Sequence, residues 1–218
     1  MIAAGFRGAG RRLQPGDVAR IAAAAGFEAA AVMAVVAVET AGSGFDAAGR
    51  PRMLFEPHVF DRLLSALAAA APNGLPAGQA AASAVLAKAR AAGLAYPAWG
   101  QQPYPLDSYP RLTAAYALNP EMACQSASWG LGQVLGTNHR VAGYPSALAM
   151  AEAACAGEAE QLGMMMAFIK TTGLAAALAA HDWVRFAEGY NGRSEAVQGY
   201  HEKLAAAYAR AVGMAAAA

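Results

Sequence analysis

AAAVMAVVAVETAGSGF, residues 29–45, is the stretch whose reading decides the fold. From Ala30 to Val38 only Ala, Met and Val occur, so a helix here has no polar face and is expected to be buried all round. The run ends on one carboxylate, Glu39, and Gly42 and Gly44 follow where a helix stops. A Glu in the last turn of such a helix sits at the lip of whatever cleft the glycine loop opens. Burial in a low dielectric raises a carboxyl pKa. A Glu kept protonated near neutral pH can then serve as a general acid. A helix-terminal Glu that simply reaches water fits the segment equally well.

Around this stretch the chain has the composition of one large core. Its 218 residues are 57% hydrophobic, enough for a single domain with insertions. A net charge of +1 leaves no basic footprint for nucleic acid. No apolar run approaches the roughly 18 residues a membrane helix needs, and the start, MIAAGFRGAGRRL, lacks the apolar core of a signal peptide. Cys124 and Cys155 lie in apolar helical surroundings and read as buried free thiols of a protein made in a reducing cytoplasm. Neither has partners at metal-ligand spacing, so neither a metal nor a cofactor is expected.

Residues 1–14 read as a linker remnant or a loosely held arm, and 15–218 as the catalytic unit. A first helix spans 17–25 and stops at Gly26. Past Glu39, residues 45–55 read as a small hairpin, two extended pieces around the Asp46–Gly49 turn. Pro57 opens a helix to about Ala70, and the Ala-rich run 79–92 is another. From Gly93 to Asp107, GLAYPAWGQQPYPLD is a long irregular loop of a functional kind. Its Tyr96, Trp99 and Tyr104 offer faces on which sugars stack; covering the flank of the core is the reading preferred for at least two of them. Asp107 or Ser108 caps a helix to Leu118, and Asn119-Pro120-Glu121 starts the next. In SASWGLGQVLG, residues 126–136, three glycines in seven positions mark backbone that comes close to a ligand or another element. Helices are expected at 146–157, 158–172, 174–188 with a break at His181-Asp182, and 193–214. GYNG, 189–192, is a tight turn by composition.

Three of these pieces, Glu39-Thr40, SWGLGQ at 128–133 and GYNG, resemble in order the signatures of the lysozyme-like superfamily that soluble lytic transglycosylases and goose-type lysozymes share. More closely, VETAGSGF…GRPRMLFEPHVF, SASWGLGQVLGTNH, FAEGYNG and YHEKLAAAY resemble the N-acetylmuramidase family of modular phage endolysins, over about residues 17–209. The resemblance implies a predominantly helical α+β, lysozyme-like fold with one small β-hairpin and added helices. It implies Glu39 as general acid, Ser128 and Gln133 lining the sugar site, Tyr190 hydrogen-bonding toward the carboxylate, and Asn191 holding the turn or touching sugar. The sequence departs from the pattern twice. Gly132 stands where the signature has Met, which takes a side chain from the site wall, and residues 56–125 lengthen the spacing from Glu39 to the glycine-rich loop.

Glycosidases ordinarily use two carboxylates. Asp17, Asp107 and Asp182 sit at helix starts, and Asp61 stands beside Arg62 in a helix. Only Asp46 and Glu56 flank the hairpin as possible accessories. Asp46 also reads as a solvated turn residue, and Glu56 as a group ordering the strand end or His58. A single-Glu site with neutral groups positioning the water is the expectation. The implied activity is a glycosidase, a lysozyme or N-acetylmuramidase cleaving the β-1,4 bond between N-acetylmuramic acid and N-acetylglucosamine in peptidoglycan. The alternatives are a lytic transglycosylase giving 1,6-anhydromuramic products and an inactive peptidoglycan-binding module. The implied partners are glycan strands and an upstream wall-binding module fused to a monomer. No nucleic acid or membrane is expected as a partner. Synthesis in the host cytoplasm with action on periplasmic peptidoglycan completes the picture.

Overall fold

The computed structural model describes residues 5–39, 42–70, 76–191 and 199–216. Helices α1 (Asp17–Ala25) and α2 (Ala29–Glu39) come first, followed by strand β1 (Met53–Phe55). Then come α3 (Pro57–Ala70), α4 (Pro76–Ala91), α5 (Tyr109–Leu118) and α6 (Pro120–Gln125). Strands β2 (Ala127–Trp129) and β3 (Val134–Leu135) precede a 3-10 turn at Gly136–Asn138. The remainder is α7 (Ala147–Ala156), α8 (Glu158–Thr171), α9 (Ala175–Ala179), α10 (Trp183–Asn191) and α11 (Tyr200–Ala216). The fold is therefore helical with a small antiparallel sheet, ordered β1-β2-β3. Among the described residues no single helix is long and apolar enough to cross a membrane.

Two apolar clusters divide the interior. One gathers Phe55, Phe60, Leu64, Leu112, Trp129 and Met150 around the sheet and α3, α5, α6 and α7. The other gathers Val32, Val35, Leu162, Met166, Phe186 and Leu204 from α2, α8, α10 and α11. Helix α8 serves both, because Met164 faces the first cluster and Met165 and Met166 the second. Unbranched Met side chains suit a helix that must fill two differently shaped gaps. The free thiols of Cys124 and Cys155 are buried, as expected.

Four expectations meet corrections. Helix α2 is not buried all round: it buries Ala31, Val32, Ala34 and Val35 while Met33 is 42% exposed and Ala37 faces solvent. It packs on α1 and, more extensively, along α11, and two neighbours on one side leave the other side wet whatever its composition. The hairpin at 45–55 shrinks to one bridge, Phe45 with Pro51. Pro51 has no N–H to continue a ladder, so the strand begins at Met53 and pairs instead with β2, Leu54 opposite Ser128. The hairpin proper is β2 to β3 around the glycine-rich turn. Gly189 and Tyr190 of GYNG lie in the last turn of α10 rather than in a tight turn; a Cβ on Gly189 would collide with Leu174, so that glycine serves close packing. Gly192 and the proposed helix start at Arg193 lie outside the described residues.

The amino-terminal stretch read as a linker or loose arm is packed from residue 5 onward. Phe6 is only 5% exposed and its ring meets Tyr109, Tyr116 and Trp129 at centroid distances of 5.6, 5.5 and 6.0 Å. Arg11 bridges Gly157, with Gly10 N–H donating to Cys155 O and Arg11 N–H to Ala156 O, both at 3.1 Å. Aromatic-to-Ala truncation in a core costs about 3–5 kcal/mol. Phe6→Ala is accordingly expected to lower the melting temperature by several degrees in a thermal denaturation scan, whereas a loose arm would leave it unchanged.

Candidate active site

Glu39 ends α2 and is partly exposed, so the desolvated carboxyl expected from an all-buried helix is replaced by one at an opening. Two cavities meet at it. One, of about 520 Å³, runs past Ser43, Asp46, Arg50, Arg52, Leu106 and Tyr109. The other, of about 440 Å³, runs past Gly132, Leu135, Asn138, Phe168, Tyr190 and Tyr200. Glu39 and Gln133 line both. A ligand lying through the two cavities passes Glu39 at its middle.

The loop after Glu39 is fixed by α8. Gly44 N–H donates to Glu158 Oε1 at 2.8 Å, and Arg12 Nη1 reaches the same oxygen at 2.9 Å. Leu13 N–H takes the other carboxylate oxygen at 2.9 Å, and Arg12 also hydrogen-bonds Ser43. Burial pushes the Glu158 pKa upward, but the Leu13 and Gly44 N–H donors and the Arg12 guanidinium outweigh it and hold the carboxyl below its usual range. One turn on, buried Gln161 donates from Nε2 to Ala154 O at 2.9 Å and to Gly44 O at 3.3 Å. Its Oε1 accepts from Leu131 N–H at 2.9 Å. A Cβ on Gly44 would collide with Gln161, and one on Gly130 would fall 2.5 Å from it. Both glycines exist so that this amide can reach the backbone.

The glycine-rich turn then presents Gln133. Its backbone is left-handed, φ 45°, and its Nε2 donates to Gly130 O at 2.8 Å and Arg52 O at 3.2 Å. Those two carbonyls fix the amide orientation and leave Oε1 as the acceptor edge. Tyr190 stacks on Phe186 at 5.6 Å and meets Phe168 edge-on at 5.9 Å. Its hydroxyl donates to Gly132 O at 2.7 Å, so it secures the turn. Burial, then the nearby Glu39 charge, pushes its pKa far up. The side chain that hydrogen-bonds Glu39 is Tyr200, whose pKa is raised by burial, by the Glu39 charge and by that bond. Tyr200 was the residue sequence reasoning missed, although it opens the YHEKLAAAY stretch that carried part of the resemblance.

The remaining sequence candidates separate cleanly. Asp46 lines the larger cavity but is engaged: it accepts from Ala48 N–H and Arg50 N–H at 2.9 Å and from Arg50 Nε at 2.7 Å. Burial pushes its carboxyl upward, yet those Arg50 contacts prevail and hold it low. Asp107, on the same wall, also pairs with Arg50, at 3.3 Å. Ser128 lines neither cavity; alternation in β2 buries Ala127 and Trp129 and turns Ser128 to the other face. Glu56 lies away from both, bonded by the Tyr104 hydroxyl and 3.4 Å from His58 Nδ1. The Asn191 side chain lies outside the described residues. In the aromatic loop Trp99 is 72% exposed, Tyr104 is exposed at its margin and Tyr96 is half-buried, so the flank of the core is covered by Leu94 and Ala95 instead. Leu106, fully exposed, and Asp107 are the loop residues that line the cleft. Among the described residues no His, Cys, Asp and Glu cluster could hold a metal.

A profile of the N-acetylmuramidase family matches residues 28–212. The crystal structure of a Burkholderia AP3 phage endolysin superposes with a TM-score of 0.76 at 33% identity, covering 94% of this chain and 72% of that one. A search of curated proteins found no match.

A depressed folded pKa gives Glu158 a stabilising contribution that is present above the ordinary carboxyl value of 4.5 and is lost as pH falls through the folded value. Glu158→Gln should therefore lower the melting temperature most at pH 7, with the gap to wild type narrowing as scans are run at pH 4 and below.

Proposed function

The chain belongs to the N-acetylmuramidase family, and from that premise we propose that it is the catalytic domain of a peptidoglycan-degrading endolysin. It hydrolyses the β-1,4 bond between N-acetylmuramic acid and N-acetylglucosamine, with Glu39 as the general acid. The observation that supports this best is the meeting of two cavities at Glu39 and Gln133, which lets a glycan strand cross the carboxyl with sugars on either side.

In this reading the protonated Glu39 gives its proton to the glycosidic oxygen as the bond to the anomeric carbon breaks. Positive charge develops on the sugar ring. Water held by the Gln133 amide oxygen adds to the anomeric carbon and releases a proton, and Glu39 is re-protonated for the next cycle. The Tyr200 hydroxyl, bonded to Glu39, orients the carboxyl and supports its ionised form between the two steps. Asp46 and Asp107 are held by Arg50, which supports a site that works through one carboxyl. The chain acts on periplasmic peptidoglycan after synthesis in the host cytoplasm, as a monomer whose wall affinity comes from a fused module.

The test is product analysis of digested peptidoglycan by mass spectrometry. Reducing muramic ends support hydrolysis. Anhydro ends would show attack by the sugar's own C6 hydroxyl, and no products would leave a binding module. General acid catalysis typically contributes about 10²–10⁴-fold, so Glu39→Gln should cost at least the upper part of that range, with its melting temperature retained. Asp46→Asn should cost far less activity; equal losses would restore a two-carboxylate mechanism. Tyr200→Phe should lower activity moderately and move the alkaline limb of the pH–rate profile upward, because a carboxyl deprived of a donor ionises at higher pH.

A further inference from the structure

The larger cavity carries two cations, and they differ. Arg50 is committed: it binds Asp46 at 2.7 Å and Asp107 at 3.3 Å, and its guanidinium lies 4.0 Å from the Tyr109 ring centroid. Arg52, two residues on, is exposed and lines the same cavity as Glu39, and among the described residues its guanidinium makes no ion pair. Its backbone, by contrast, is anchored. Arg52 N–H donates to Gly44 O at 2.7 Å, and Arg52 O accepts from Gly130 N–H at 2.8 Å and from Gln133 Nε2 at 3.2 Å. The main chain of this residue thus joins the loop after Glu39 to the glycine-rich turn, while its exposed side chain lies on a residue that lines the cavity.

An exposed guanidinium without an ion-pair partner at such a cavity can take a carboxylate or phosphate, which its planar fork binds with two parallel hydrogen bonds. An N-acetylglucosamine unit has no such group. An N-acetylmuramoyl unit carries a lactyl substituent that ends either in a free carboxylate or in a peptide stem bearing carboxylates. We propose that Arg52 binds a carboxylate on the muramoyl unit seated in the Arg50–Leu106 cavity, and so determines which sugar of the alternating strand occupies that side of Glu39. This inference rests on the muramidase reading and adds to it the residue that sets the register of the strand. Without such a mark, the two sugars differ only at the 3-oxygen, and a cleft of neutral groups would accept a strand shifted by one unit.

Because the structural bonds of Arg52 come from its main chain, Arg52→Ala should keep the fold, which a thermal melt checks. The measurement is binding by calorimetry in a Glu39→Gln background, with and without Arg52→Ala and Arg52→Lys. Three soluble ligands are used: stem-bearing muropeptide oligomers, the same glycan stripped by an amidase to free lactyl carboxylates, and N-acetylglucosamine oligomers. A charge-assisted hydrogen bond is worth roughly tenfold or more in affinity. Arg52→Ala should weaken at least one muramoyl ligand by about that factor and leave the N-acetylglucosamine oligomers unchanged, with Arg52→Lys intermediate. Loss on the stem-bearing ligand alone assigns the carboxylate to the peptide; loss on the stripped glycan assigns it to the lactyl group. Equal affinities for wild-type and Ala side chains, or equal losses on all three ligands, overturn the proposal. Failure of the muramidase reading would show separately, as wild-type protein that releases no saccharide from peptidoglycan.

Discussion

The site depends on a pair of polar side chains on one buried helix. Glu158 and Gln161 of α8 bind the Gly44 amide, the Gly44 carbonyl and the Leu131 amide, and so hold the loop after Glu39 against the turn that carries Gln133. Neither loop has secondary structure of its own to set its position. Buried polar groups left without partners cost about 1–3 kcal/mol each, so a register error in either loop is penalised several times over. The same Glu158 carboxylate takes Arg12 and the Leu13 amide, which makes the amino-terminal stretch part of the support. A carboxyl on a helix end needs such scaffolding if it is to hold one position, because the last helical turn is the first to fray.

Around this support the carboxylates are sorted by their cation. Arg50 lies between Asp46 and Asp107 and stacks on Tyr109, so the lone pairs of both acids are directed to one guanidinium and nearby amides. Glu39 has different company: a phenol hydroxyl from Tyr200 and a wall of aromatic rings from Tyr190 and Phe168 on one side. Two acids are thus tied to one arginine, while the third carboxyl stands beside phenols. The cleft is polar and charged toward Arg50 and Arg52, and aromatic toward Tyr190.

Much of this was legible in the residues themselves. The helix ending at Glu39, the glycine-rich turn and the break at His181-Asp182 follow from local composition, and the structure places Glu39, Gln133 and Tyr190 around one cleft. What escaped was set by tertiary neighbours. No periodicity in the apolar run 30–38 says which stripe stays wet; the positions of α1 and α11 decide it. Nothing local distinguishes Gln161 in EAEQLGMMMAFIKT from a surface glutamine, since its role exists only once Gly44 and Gly130 come within reach. Ser128 lines neither cavity because a motif gives membership of a loop, whereas strand alternation gives direction. Asp46 kept its place beside Glu39, but its engagement by Arg50 depends on how the 46–50 turn closes.

Gly132 shows how a departure from a motif is absorbed. On the sequence, glycine in place of the methionine of the signature removes a side chain from the site wall. In the folded chain the space is not empty: a Cβ at Gly132 would fall 2.8 Å from Met165 Cγ and 2.9 Å from both Met165 Cβ and the Tyr190 hydroxyl. The apolar volume that the turn does not supply comes from across the cleft floor, on α8. Tyr190 can then reach Gly132 O at 2.7 Å, a bond that a side chain at 132 would obstruct. The turn is thereby tied to α10 as well as to Gln161, and the tie lies directly behind Gln133. Loss of one side chain from the turn is thus linked to a hydrogen bond that fixes it, and the wall is filled by a neighbour that is distant in sequence.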